Sequence, residues 1–583
     1  MDRATRGPVI VSGLLAVAAF AVLVVPSIIS SGKGPAVLML LGGVLVLVGG
    51  LVAVVRMQRS SAGGGASSPV TCKIDDCAQY MPSHREVEQF TAKAVKKTAL
   101  RLSRDGFDPK NPATWGLDLG TLVPTRHALM LDFESCIFVV AGMRRGKSQA
   151  FAIPWTLDGP GAVIVTSNKI DVYRETSVLR RRAGHREWLF DLQDLTGSGA
   201  PEIRFDPFEM ITDLETAMQA AGHFVSSVQK KGATAHSYFD NAGVRILAAY
   251  MLAASLIGGD LLHVARWLDK PRETLAAEIL IEYGFSDLGS QVKARNQLDP
   301  RQQEGFFDPA RMFIEAVVNP KFARWVVPEE RGVIARHPET GKHIVKDVKD
   351  SRPVFKAAEF VRSTDTLYAL SQHGEGSPAP LVTALVGIVI ETARTVANRE
   401  QGGRLKRPII AILDEVANIC RLKGLPNMMS YCGSIGVVLA PILQSKTQGE
   451  NIWGDEFTAA WNSANAVAYL GGNRDDELER EISARIGDQD KTRENKSYSS
   501  GSTNYSENTS REPIMPPELV GELPKGRGIL LASGCRPVVI APSMAYQSKR
   551  AGEIDAAKKE YDASHRVRAN DLEDNTEGER KAA

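Results

Sequence analysis

Between Phe138 and Pro154 the chain reads FVVAGMRRGKSQAFAIP, and this stretch restricts the fold more than any other. An apolar β-rich run, Cys136 to Val140, feeds a glycine-containing turn ending in Gly146-Lys147-Ser148, and an apolar stretch of helical character follows at once. Strand, loop and helix in that order predict a parallel α/β sheet with an anion held at a helix N-terminus. In such a loop the backbone N–H groups of Gly142, Met143, Arg144, Arg145, Gly146, Lys147, Ser148 and Gln149 surround a polyphosphate. The Lys147 ammonium reaches its oxygens, and the Ser148 hydroxyl is placed to hold Mg²⁺. The match to G-x-x-x-x-G-K-[ST] departs at one place, because Ala141 stands at the first glycine and Gly142 comes one residue later. Taken alone, the segment also fits a glycine turn after a buried strand with a solvated lysine.

The downstream sequence decides between these. RPIIAILDEVANICRL places a buried-strand run, Ile409 to Leu413, directly before Asp414-Glu415. After a phosphate loop, one such acid supports the metal and the next polarises the attacking water. By itself the pair would fit an ordinary helix N-terminus, where acids favour the dipole. A further apolar strand, Val437 to Leu443, ends in Gln444-Ser445, a polar side chain suited to sensing a terminal phosphate. Three strand-end polar clusters in this order predict a RecA-like P-loop NTPase whose nucleotide lies across the carboxyl ends of a parallel sheet. The expected catalytic residues are Glu415, Lys147 and Gln444, the metal-holding ones Ser148 and Asp414, and the cofactors ATP and Mg²⁺.

With 583 residues and a 43% hydrophobic fraction the chain is long enough for two or three domains with a real core. A formal charge of +2 is too small to argue for nucleic acid, so any DNA site must be local. The six cysteines are scattered; Cys136 and Cys420 read as buried thiols, and Cys72 with Cys77 lacks a second pair to complete a zinc set.

The first sixty residues differ in kind. Pro8 to Ile29 and Pro35 to Val55 are uncharged apolar runs, each about 30 Å long as a helix and able to cross a bilayer. Arg3 and Arg6 precede the first, Arg56 and Arg59 follow the second, and only Lys33 lies between. The positive-inside rule then puts both ends in the cytoplasm, giving a multi-pass protein of the cell (inner) membrane.

The expected plan is α/β: a two-span anchor at 1–59, a linker and juxtamembrane segment at 60–126 including a basic amphipathic helix, Glu86 to Arg104, the first part of the nucleotide domain at 127–211, an all-α insertion at 212–345, the second part at 346–548 and a tail at 549–583 that is disordered or orders on a partner. Lys491 to Arg511, polar and almost free of aliphatics, reads as a mobile loop. Gly528 to Ala532 and Pro537 to Ala541 read as a closing hairpin.

With these residues laid out, the chain resembles the TraG/TraD type of type IV secretion coupling protein. The resemblance covers nearly everything after residue 125 and rests on AGMRRGKS, VIVTSNKIDVYRET, FDPF at Phe205 to Phe208, STDTLYAL, ILDEVANICRLKGLPNMMSYCGSIGVVLAPILQS and REPIMPPELVGELPKGRGILL. It implies a membrane-anchored homo-hexameric ATPase with nucleotide between subunits. Such a protein brings relaxase-bound, single-stranded DNA to a secretion channel, with relaxosome proteins and channel components as partners. Besides Ala141 there are two departures. Ser167-Asn168-Lys169-Ile170-Asp171 carries over only Lys169 and Asp171, as accessory residues. Gly433 falls where the family often has an arginine that reaches a neighbouring subunit's phosphate, so Arg421 or another arginine would have to substitute.

Two alternatives stay open: an FtsK-like double-stranded DNA pump, which usually appends a winged-helix domain where this chain has a short polar tail, and a docking receptor that binds nucleotide with little hydrolysis. Lys230 with Lys231, and Lys293 with Arg295, are the basic pairs expected at a DNA channel, although each also fits a solvated loop.

Overall fold

The runs IFVV, VIVTS, TLYAL, IIAIL and VVLAPIL are buried along their whole length, as strands covered on both faces must be. A computed structural model describes residues 73–102, 105–123, 125–226, 237–372, 374, 377–499 and 502–565. Both expected membrane spans, the first part of the linker and juxtamembrane segment at 60–72, Lys230 with Lys231, and the chain beyond 565 lie outside the described residues.

One 11-stranded sheet organises the described residues. From edge to edge it runs Ala128–Asp132, Gly116–Leu122, Cys535–Ala541, Gly528–Ala532, Ala466–Tyr469, Ile137–Val140, Val437–Leu443, Ile409–Leu413, Val163–Ser167, Thr366–Leu370 and Glu187–Asp191. From Ala466–Tyr469 to Glu187–Asp191 every pairing is parallel; the remaining four strands join antiparallel. The phosphate-loop strand thus sits inside the sheet, between Val437–Leu443 and Ala466–Tyr469, and the loops that follow the parallel strands gather along one edge.

Alternate residues of these strands face opposite layers. Val139, Val165, Tyr368, Ile410 and Ile412 pack with Phe151, Trp155, Val172 and Tyr173, from the helices that follow the phosphate loop and Val163–Ser167. Phe138 points the other way, against Phe457 and Trp461, with centroids 5.3 and 5.7 Å away. Helix Ala379–Arg399 is, among the described residues, the one long and apolar enough to cross a membrane, yet 83% of its apolar window is buried in the protein. It packs against Leu214–Ser226 and Pro300–Val318 of the helical block on one hand and Leu425–Ile435 on the other.

Several expectations need correction. Within 60–126, read as linker, Gly116–Leu122 and Ala128–Asp132 form the outer antiparallel pair of the main sheet, because Leu117, Leu119, Leu129 and Leu131 supply an alternating buried face. The basic helix is shorter than expected, Ala92–Leu102. The insertion read as all-α is helical from Leu214–Ser226 to Pro320–Ala323 but closes with a hairpin, Val333–Arg336 against His343–Lys346, around the turn residues Pro338 and Gly341.

The tract read as a mobile loop is a two-stranded ribbon, Asp488–Ser499 against Ser502–Pro513, paired along its length. The backbone groups that face the partner strand satisfy one another across the ladder, and a sequence almost free of aliphatics carries no apolar alternation, the signal by which strands are read. The tail, too, is not disordered throughout: residues 551–565 are helical, and Ile554, Ala557 and Tyr561, spaced for one helix face, enter the core of the sheet.

Candidate functional site

The site is built where Ile137–Val140, Ile409–Leu413 and Val437–Leu443 end. Ala141 still belongs to the sheet, its N–H donating to Leu443 O at 3.0 Å. Five non-glycine residues among those described have positive φ, and Ala141 is not one of them, so the alanine is tolerated there. Gly142 is the glycine the turn requires: a Cβ would collide with the carbonyl of Gly472, from the loop after Ala466–Tyr469. Its N–H already donates to Gly471 O at 2.9 Å, so that amide is engaged within the protein. Arg144 and Gly146 turn the loop through the left-handed region, at φ 61° and 85°. The Arg145 guanidinium is anchored on Leu523 O at 2.7 Å, and Met143 stands exposed. Ser148–Ala152 then opens the following helix with a wide π-type turn.

Lys147 lies between the two acids, its Nζ 2.9 Å from Asp414 Oδ1 and 2.5 Å from Glu415 Oε1. Burial would depress this ammonium, but the two carboxylates outweigh it and raise its pKa. Glu415 would be raised by burial; instead Lys147, Gln444 and Asn418 hold it below the usual range. Burial pushes Asp414 up, and Asp171, the first residue of helix Asp171–Arg182, adds to that push. Glu415 is left-handed, φ 53°, a strained conformation, with its N–H donating to Asp414 Oδ1 at 3.1 Å. Gln444 Nε2 donates to Glu415 Oε2 at 2.9 Å.

Lys147, Asp414, Glu415 and Gln444 therefore come together, with Ser148 adjoining. Asp171 lies near, whereas Lys169 is exposed and only its N–H, on Ser167 Oγ at 3.2 Å, is engaged. Gln149 is tied by its side chain to Glu175 at 2.8 Å. Three residues went unread. Asn418 Nδ2 donates to the same Glu415 oxygen at 3.0 Å, Thr166 Oγ1 to Asp414 O at 3.1 Å, and Asn473 Nδ2 to Gln444 O at 3.2 Å. Of these, only Asn418 carried a sequence signal, its position three residues into the turn after Glu415.

Gly433 also has a physical cause. A Cβ there would collide with the backbone carbonyl of Glu134, so helix Leu425–Ile435 admits no arginine at this position in this packing. A guanidinium is nevertheless present beside it: Arg404, from the loop before Ile409–Leu413, donates to Gly433 O at 2.5 Å, Ser434 O at 2.9 Å and Phe133 O at 2.8 Å. Arg421 is half-buried, and its Nε donates to Ala417 O.

A parallel sheet whose strand ends gather a loop lysine, two acids and a glutamine has the arrangement that a nucleotide site requires. The family described as "Type IV secretory system Conjugative DNA transfer" matches residues 88–278, and "TraM recognition site of TraD and TraG" matches residues 408–525, together more than half of the chain. The chain belongs to the TraG/TraD type of type IV secretion coupling protein, the membrane-associated family of conjugative DNA transfer. Among curated proteins no sequence matches it.

Solved structures similar to it include the bacterial conjugative coupling protein TrwBdeltaN70 in its unbound monoclinic form, at 15% identity and TM-score 0.47, covering 78% of this chain and 92% of that one. The plasmid coupling protein TrwB in complex with ADP and Mg²⁺ is also similar, at 15% identity and TM-score 0.45, covering 76% and 91%. VirB4 of Thermoanaerobacter pseudethanolicus follows at 8% and 0.39, covering 75% and 98%.

Proposed function

We propose that this chain is the ATPase of a conjugative secretion apparatus, a P-loop DNA translocase that couples ATP hydrolysis to the movement of relaxase-bound, single-stranded DNA. The observation that carries this reading is the single bonded cluster of Lys147, Asp414, Glu415 and Gln444 at the carboxyl edge of the parallel strands. Its residue types suit a magnesium nucleotide. Mg²⁺ is normally held by one or two carboxylates together with phosphate oxygens. Ser148 and Asp414 would hold it, and once bound it would neutralise charge on the phosphates being split.

Lys147 supplies the cation for the β- and γ-phosphates, shared with rather than surrendered by the acids that flank it. Glu415, kept ionised, accepts a proton from the attacking water. Gln444 and Asn418 fix the Glu415 carboxylate between them, so its free lone pairs have a defined direction. Two N-terminal spans anchor the protein in the inner membrane with both ends cytoplasmic, and six copies form a ring with nucleotide at the subunit contacts. ATP turnover by the full chain in lipid nanodiscs, with and without single-stranded DNA, tests this: DNA-stimulated turnover that Lys147→Ala abolishes is expected, and turnover indifferent to both would overturn it.

A second reading, a docking receptor that binds nucleotide with little hydrolysis, is favoured by one observation: the close approach of Glu134 that forbids an arginine at Gly433.

A further inference from the structure

The phosphate loop has a second wall, made by chain far from it in sequence. A Cβ on Gly146 would lie 3.5 Å from Lys525 Cε and 3.7 Å from Met544 Sδ, so the segments before Gly528–Ala532 and after Cys535–Ala541 stand directly beside the loop. Met544 and Ala545 are buried, 3% and 1% exposed, in the same core as Phe151 and Trp155. They pin the short turn Ala545–Gln547 against the helix that the loop opens. From that pinned turn Tyr546 projects, 49% exposed, with Lys525 Nζ 5.8 Å from its ring centroid. Lys525 is itself exposed. One lysine side chain thus separates an immobilised, solvent-facing aromatic ring from the phosphate loop.

We propose that Tyr546 is the platform on which the nucleotide base stacks and that Lys525 is a second cation for the phosphates, so that one nucleotide spans from the loop to the segment 525–546 of the same chain. This rests on the reading of the loop as a nucleotide site. A rigid aromatic ring offers its face to a base at little entropic cost. It reads the π-face and not the hydrogen-bonding edge, and adenine and guanine are then accepted alike. Lys525 leaves the ring of Tyr546 for the phosphates, a flexible ammonium needing only to swing about its own stem.

The test is equilibrium binding by the full chain, in Mg²⁺, of ATP, GTP and inorganic tripolyphosphate, the last carrying the phosphates without a base. Tyr546→Ala is expected to weaken ATP and GTP about tenfold and leave tripolyphosphate unchanged. Tyr546→Phe should match the parent, and Lys525→Ala should weaken all three. Tyr546→Ala binding ATP as tightly as the parent, or losing tripolyphosphate in the same proportion, would overturn the proposal. Failure of the loop reading looks different: the parent binds none of the three, or Lys147→Ala binds them as the parent does, and the proposal falls with it.

Discussion

Glu415 and Gly433 show how much of this site is decided by single residues. A non-glycine residue in the left-handed region is strained, and Glu415 adopts that conformation at the one place where its carboxylate meets both Lys147 and Gln444. Gly433 is governed by space rather than by torsion. In a helix, glycine to alanine ordinarily gains about 1 kcal/mol, but here the added methyl meets the Glu134 carbonyl, and overpacking against backbone costs about 1–3 kcal/mol. Gly433→Ala should therefore lower the melting temperature, and Gly433→Arg should lower it further; a melting temperature raised by the alanine would refute the close approach.

His223 gives a pH signature. Burial holds this imidazole down at about 4, against an ordinary 6.5. The unfolded chain then binds the proton more readily than the folded one between those values, so stability falls as pH drops through that window and levels off below it. The loss attributable to this one side chain is up to about 3 kcal/mol. Thermal melts of His223→Gln should show a shallower decline between pH 6.5 and 4 than the parent, and equal slopes would contradict the account.

At the scale of elements, the parallel strands were legible because burial on both faces leaves continuous apolar runs: Ile409–Leu413 and Val437–Leu443 are found where the residues placed them. Asp414 and Gln444 were legible for the same reason, since each directly follows such a strand, whereas Lys147 was placed by the glycine turn after Ile137–Val140. What was not legible had weaker local signals. Gly116–Leu122 carries two glycines and an aspartate, so its alternation of leucines is diluted. The ribbon of Asp488–Ser499 and Ser502–Pro513 has no apolar face at all.

The helix at 551–565 was obscured by its charges, which turn out to be ion-paired to the nucleotide domain: Arg174 to Asp562, Arg182 to Glu560 and Lys558 to Glu175. Those pairs are partly exposed and individually worth little, about 0–1 kcal/mol. The apolar stripe holds the helix instead. Tyr561, only 8% exposed, meets Tyr173 edge-on at 5.6 Å, and its removal should cost about 3–5 kcal/mol, as for other large buried rings. Tyr561→Ala should therefore free the helix to limited proteolysis while Arg182→Ala leaves it protected; the opposite ranking would mean that charge, not packing, docks the tail.

For the whole molecule, a formal charge of +2 over 583 residues means that DNA must be met by a local basic surface. Lys293 and Arg295 end helix Ser286–Asn296 in the helical block, with Lys293 exposed. If six copies line a channel, their charges add and each phosphate contact releases a counterion. DNA binding by the full chain should then fall steeply between about 50 and 200 mM salt, and Lys293→Ala should flatten the slope. An unchanged slope would place the DNA surface elsewhere.

The central claim is that Lys147, Glu415 and Gln444 form a hydrolytic nucleotide site, and comparing ATP binding with ATP turnover in Glu415→Gln tests it most directly. The amide keeps the shape of the carboxylate but cannot take the proton from water, so the account predicts ATP held at least as tightly as by the parent, with turnover reduced about a hundredfold or more. Turnover at the parent's rate, or loss of ATP binding together with turnover, would contradict it.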